Sequence, residues 1–156
     1  GVAGRRADGQ LHIEVIDARA GTGWIVPRLV QLAARHKPCA IAIDEKGAAG
    51  SLIADAETAK LKIVKISMTD VARGYALTYD GIAGADATAR IVHHIGQVEL
   101  DEAVKGAMKR SLGDGSAWDR KTSAVDITPL VACSNALAAH AEHGNKTPSK
   151  PMFAFA

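Results

Sequence analysis

Cysteine is scarce in this chain, with two in 156 residues, and neither stands where thiol chemistry would put it. Cys39 and Cys133 each lie in an apolar run, with no C-x-x-C spacing and no clustering with histidine. Buried free thiols are favoured over a disulfide or a zinc site, and a reducing, cytoplasmic setting is expected. No apolar stretch approaches the roughly 20 residues that cross a bilayer. The opening Gly1-Val2-Ala3-Gly4-Arg5-Arg6 also lacks the apolar segment of a signal peptide. A soluble, unsecreted protein with no membrane partner is predicted. A net charge of +2 is too small to mark a nucleic-acid binder, so any such role must rest on local charge. Nothing matches G-x-x-x-x-G-K-[ST], and Gly21-Thr22-Gly23 reads as a turn into a helix, so this chain alone should not hydrolyse ATP. There is no internal repeat.

What is present is enough for one core. With 47% apolar and 23% charged residues, a single globular domain is expected over residues 1–144, followed by a flexible tail at 145–156. The start reads as a hairpin: a strand near Val2, a polar turn at Arg5 to Gly9, then Leu11 to Ile16 with alternating polarity. A helix follows, beginning between Thr22 and Pro27, with Ile25, Leu29, Leu32 and Ala33 on one face and Pro38 as its stop; it should pack on the hairpin. The unbroken apolar run Cys39 to Ile43 suits a central strand buried on both faces, with Asp44 at its carboxyl end. Ser51 caps a predicted helix through about Lys60, and Leu61 to Ile66 returns as a strand, giving a β-α-β unit. Thr69 caps the next predicted helix, which ends near Gly84, and Ala89 to Ile95 contains a candidate short strand. A helix is predicted from Gln97 to Ser111, its charges ordered to suit the helix dipole, then a loop at Gly113 to Ser116. The last helix starts with Thr128 and Pro129 and runs to about His143.

Two aspartates in unlike contexts are the chemical candidates. Asp44 ends an apolar run, and Asp126 lies in Ser123-Ala124-Val125-Asp126-Ile127-Thr128-Pro129-Leu130, just outside a helix N-terminus. A carboxylate against apolar neighbours is costly unless paired, and a divalent cation shared between two of them is one solution. Each also has a plain structural reading: Asp44 caps the loop that follows it, and Asp126 caps the helix. The basic group Lys105, Lys109, Arg110, Arg120 and Lys121 either grips phosphates or forms a solvated face. Trp118 either stacks on a base or anchors in the core. His93, His94, His140 and His143 lack partners at metal-binding spacing and read as structural or exposed. Asp119 is an auxiliary acid candidate, and Asp17 a weaker one.

The elements make an α/β domain of mixed β-sheet flanked by helices, in the order of the ribonuclease H-like fold once a leading strand is added. Gly21 to Val30, Ile43 to Ile53, Leu112 to Lys121 and Ser123 to Val131 resemble, in order, the nuclease domain of the large terminase subunit of tailed bacteriophages and prophages. The resemblance covers roughly residues 1–144. It implies a metal-dependent endonuclease that cuts concatemeric double-stranded DNA during packaging in the bacterial cytoplasm. Asp44 and Asp126 would be catalytic metal ligands. Hard oxygen donors favour Mg2+ or Mn2+, and two such ions would activate the attacking water and stabilise the leaving oxygen. Its implied partners are the terminase ATPase domain, the small terminase subunit and the portal. The family's first strand, with a further metal-binding aspartate, would precede residue 1, so the site is expected to be incomplete. A sheet lacking its centre exposes two pairing edges, which opens a route to a homo-oligomer. The rival reading is a catalytically inactive remnant or assembly module that binds DNA or a packaging partner without cutting. A third is an unrelated α/β enzyme in which Asp44 caps a substrate pocket at the strand ends.

Overall fold

The protein is described by a computed structural model, which places residues 1–83 and 91–144. The expected tail at 145–156, the helix end at Gly84 and the start of the strand at Ala89 and Arg90 lie outside the described residues. Strands β1 (Val2–Arg5) and β2 (Leu11–Glu14) form the expected antiparallel hairpin, turned by Gly9 at φ +84, a backbone conformation open to glycine. β2 also pairs in parallel with the short β5 (Val92–His93), giving a three-stranded mixed sheet.

Helix α1 (Ile25–His36) ends as its sequence predicts, with Lys37 in the left-handed region just before Pro38. Strand β3 (Ile41–Asp44) then runs parallel to β4 (Ile63–Ile66), joined through a 3-10 turn at Ala48–Leu52 and helix α2 (Ile53–Thr58). That is the expected β-α-β unit. Ser51 does not cap α2: its hydroxyl donates to Ala48 O within the preceding turn. Helix α3 (Met68–Ala83) is capped by Ser67 instead of Thr69. The Ser67 hydroxyl and backbone N–H both bond Asp70, which holds the Asp70 carboxyl below its ordinary range. Helix α4 (Val98–Gly106), the hairpin of β6 (Lys109–Leu112) and β7 (Gly115–Trp118), and helix α5 (Thr128–His143) complete the described chain.

The predicted helix over 97–111 is half right. It stops at Gly106, where a Cβ would stand 2.6 Å from Val125, and the backbone is then tied to the 119–125 loop by Met108 N–H to Ser123 Oγ and Ala124 N–H to Gly106 O. Lys109 to Leu112 therefore leave the helix axis and pair with β7, across a turn in which Gly113 has φ +58. The predicted loop at Gly113 to Ser116 is the tip and returning strand of that hairpin.

The centre of the fold is α5. From Pro129 to His140 none of its residues is exposed, because it lacks a polar face and is covered on several sides. It packs on α3 above all, on α4, and on both β1 and β3 more than on their partners β2 and β4. Leu130, Cys133 and Leu137 of α5 join Ile13, Val92, Leu100, Ala103 and Ile127 in the core. Two expectations fail at the periphery. Among the described residues β3 pairs with β4 alone, so it is an edge strand there with only Ile43 buried, and α1 has no buried residue and packs extensively on no other described element. Cys39, at the exposed approach to β3, is solvent-facing, whereas Cys133 is buried; both are free thiols.

Candidate functional site

Asp44 is held by the loop that follows it. Its Oδ1 accepts the Lys46 N–H at 3.1 Å, and its backbone oxygen accepts the Gly47 N–H at 3.1 Å. The loop wraps so closely that a Cβ on Gly47 would lie 2.6 Å from Asp44 Oδ2, and one on Gly50 would collide with Glu45 O. Asp44 thus does cap its loop, as the plain reading has it. Its second oxygen faces Arg120, whose Nη2 is 3.9 Å away, with side chains 17% and 42% exposed respectively. At that distance the pair is an electrostatic contact without a hydrogen bond, and solvent screens part of it.

Arg120 reaches this position because the strand before it is pinned to the core. The Trp118 Nε1–H donates to Ser134 Oγ of α5 at 2.9 Å, and its ring meets Tyr75 of α3 edge-on at 4.6 Å. Ser134 Oγ is also 3.0 Å from Thr78 Oγ1, which donates to Gly74 O at 2.8 Å. Since a hydroxyl carries one proton, the bonds run in series: Trp118 to Ser134, Ser134 to Thr78, Thr78 to the α3 backbone. Trp118 is therefore a core anchor.

The loop after Trp118 is organised by Asp119. Its Oδ1 accepts the Lys121 N–H and its Oδ2 the Thr122 hydroxyl, each at 2.9 Å. These bonds, the Lys121 N–H first, hold its carboxyl below the ordinary range. With both oxygens committed inside one turn, Asp119 positions the loop. Asp126 Oδ1 accepts the Thr128 N–H at 2.9 Å from one position before the N-cap residue Ile127 of α5, and its carboxyl is likewise lowered, chiefly by the Thr128 hydroxyl and then by that N–H. Asp17 is already met by two guanidinium groups, Arg19 at 2.6 Å and Arg28 at 3.3 Å.

The basic residues are all exposed and come from three elements: Lys105 on the last turn of α4, Lys109 and Arg110 on β6, Arg120 and Lys121 in the loop after β7. Arg110 acts on Asp119 and Arg120 on Asp44, whereas Lys105, Lys109 and Lys121 form no ion pair among the described residues. Among the described residues, no group of three or more histidine, cysteine or acidic side chains gathers to hold a metal ion. The hard oxygens of Asp44 and Asp126 are of the right chemistry for Mg2+ or Mn2+, but each has one oxygen engaged by backbone. What sequence reasoning missed is the Arg120 to Asp44 approach and the Ser134–Thr78 link, neither of which has a local signal.

The fold and site together define an α/β domain with mixed strand pairing, in which a carboxylate at a strand end faces an arginine in the basic loop that follows β7. Comparison with protein-family models, with curated proteins and with solved structures finds no match for the chain. Among the described residues, no helix is long and apolar enough to cross a membrane.

Proposed function

We propose that this chain is a ribonuclease H-like nuclease domain, similar to that of the phage terminase large subunit, acting on double-stranded DNA. The observation that carries the reading is the arrangement around α5. Asp44 ends a strand that rests on this helix, Asp126 accepts the N–H of its first residue, Thr128, and the resemblance assigns metal binding to these same two residues. Asp44 and Asp126 would hold Mg2+ or Mn2+. The ions, when bound, supply Lewis-acid activation of water and neutralise charge on the leaving oxygen. Arg120, Arg110 and the unpaired Lys105, Lys109 and Lys121 would take DNA phosphates, a contribution that weakens with salt.

A second reading is favoured by one observation, the Arg120 guanidinium beside Asp44. A cationic side chain there already answers the carboxylate's charge, which suits a non-catalytic terminase remnant or packaging module that binds DNA or a partner without cutting.

Isothermal titration with Mn2+ separates the two, run on the parent and on Asp44→Ala and Asp126→Ala with folding checked by circular dichroism. Binding by the parent that is lost in both variants supports the shared metal site and leads to plasmid-cleavage assays. A folded parent that binds no Mn2+ rejects the nuclease and leaves the remnant.

A further inference from the structure

A cavity of about 220 Å³ lies where the end of the hairpin of β1 and β2 meets α3 and the last turns of α5. Four of the side chains that line it are apolar: Leu11, Leu77, Leu137 and Ala141. Leu137 is fully buried, whereas Ala141 is exposed and marks the side open to solvent. The other two lining residues are Arg5 and His140. Arg5 donates to Gly9 O in its own turn and meets no carboxylate among the described residues, and the His140 ring has no hydrogen-bond or ion-pair partner among them. Burial and then Arg5 hold the His140 pKa below its ordinary value, so the imidazole is neutral at pH 7 and the guanidinium is the cavity's one charge.

We infer that this cavity binds a small molecule bearing one carboxylate on a compact apolar body, the carboxylate on Arg5 and His140 and the body against Leu11, Leu77 and Leu137. The inference does not rest on the nuclease reading. Size selects the body. A dry cavity of about 150 Å³ holds benzene, so one of about 220 Å³ has room for a single ring or a short branched chain with its carboxylate. It falls short of the roughly 300 Å³ at which pockets for drug-sized ligands begin. Charge selects the head group. A guanidinium has five N–H donors and no acceptor; Arg5 spends Nη1 on Gly9 O, and the donors that remain match the two oxygens of a carboxylate. One cation beside a neutral imidazole suits a single negative charge better than the nearly double charge of a phosphate. The C-terminal end of α5 opposes any anion by about a factor of two to five. A charge-assisted hydrogen bond to Arg5 favours it by about tenfold or more, so Arg5 decides the balance.

The test titrates the full chain, labelled at its leucine methyls, with benzoate, benzyl alcohol and phenyl phosphate at pH 7, followed by NMR. Benzoate is expected to shift the Leu11, Leu77 and Leu137 methyls saturably, with benzyl alcohol about tenfold or more weaker and phenyl phosphate weaker than benzoate. Arg5→Gln, with folding checked by circular dichroism, should weaken benzoate about tenfold or more. Arg6→Gln should leave it unchanged, since Arg6 pairs with Asp8 and does not line the cavity. Absence of saturable shifts at these methyls overturns the proposal. So does benzyl alcohol or phenyl phosphate binding as well as benzoate, a comparison on the parent protein that stands whether or not a variant folds. A folded Arg5→Gln that binds benzoate like the parent overturns it as well. Contacts from another part of the chain that already fill the cavity without ligand, seen at the same methyls, would do so too.

Discussion

Replacing Asp126 in two different ways separates a structural duty from a chemical one. Alanine removes the acceptor for the Thr128 N–H at the first turn of α5, and the net loss of that hydrogen bond costs about 0.5–1.5 kcal/mol. Because α5 packs on α3, α4, β1 and β3, that cost should appear in global stability, as about 2–4 °C in Tm per kcal/mol for a chain of this size. Asparagine keeps an acceptor oxygen for the Thr128 N–H, so Asp126→Asn gives up only the charge near the helix dipole, about 0.3–1 kcal/mol. The expected order at pH 7 is parent, then Asn, then Ala. The Asp126 carboxyl is held below its ordinary range, first by the Thr128 hydroxyl and then by the Thr128 N–H. A carboxyl lowered on folding stabilises the fold above its unfolded pKa, about 4, and loses that contribution as pH falls through the folded value. The parent's margin over Asp126→Asn should therefore shrink below about pH 4, approaching zero once the carboxylate is protonated in both states. Urea unfolding followed by circular dichroism at pH 7 and pH 3 reads all three proteins. An Ala variant as stable as the parent, or an Asn variant as weak as Ala, would refute the structural role of this hydrogen bond. Mn2+ binding lost in a fully stable Asn variant would assign the ligand role independently of that bond.

Other outcomes follow from the same packing. Ser134→Ala strips the acceptor from the Trp118 Nε1–H and a partner from Thr78; denaturant unfolding should show a loss of about 1–3 kcal/mol, and a loss under about 0.5 kcal/mol would mean the buried series is not formed. Gly74→Ala places a Cβ 2.5 Å from Ser134 O, where α3 and α5 cross most closely, so it should destabilise by about 1–3 kcal/mol despite alanine's better helix propensity; a stabilised variant in calorimetry would contradict that crossing. His140 is lowered below its ordinary value by burial and then by Arg5. The unfolded chain thus takes up the proton first, and stability should fall as pH drops from about 6.5 toward 5, a slope that His140→Gln should reduce. An unchanged slope in the variant would place the titrating group elsewhere.

The parts of this fold legible in the sequence are those whose signals are local. α1 ends where Pro38 demands, β3 ends at Asp44, and α5 begins at Thr128-Pro129 because one proline and one run of apolar residues suffice to say so. The hairpin of β6 and β7 has no local signal because Lys109 and Arg110 continue a helical charge pattern, and it is the distant 119–125 loop, bonded to Gly106 and Met108, that ends the helix early. Cys39 looked buried because its run is apolar, yet no strand lies beside it to cover it. In the candidate site, the strand-end position of Asp44 and the place of Asp126 just before a helix could be read from spacing. The meeting of Arg120 with Asp44 could not, since it joins a loop and a strand 76 positions apart in numbering, 120 − 44.

The position of α5 in the chain also sets the order in which this protein can be made. The hairpin, the β-α-β unit and α3 are all synthesised before the helix on which they rest, so the early elements leave the ribosome with their inner surfaces wet. Contacts between β1 and α5 span nearly the whole described chain, and such closures come late and slowly in folding. Until Thr128 to His143 has emerged, the earlier sheets and α3 lack the helix they pack on, the state in which a growing polypeptide depends most on chaperones.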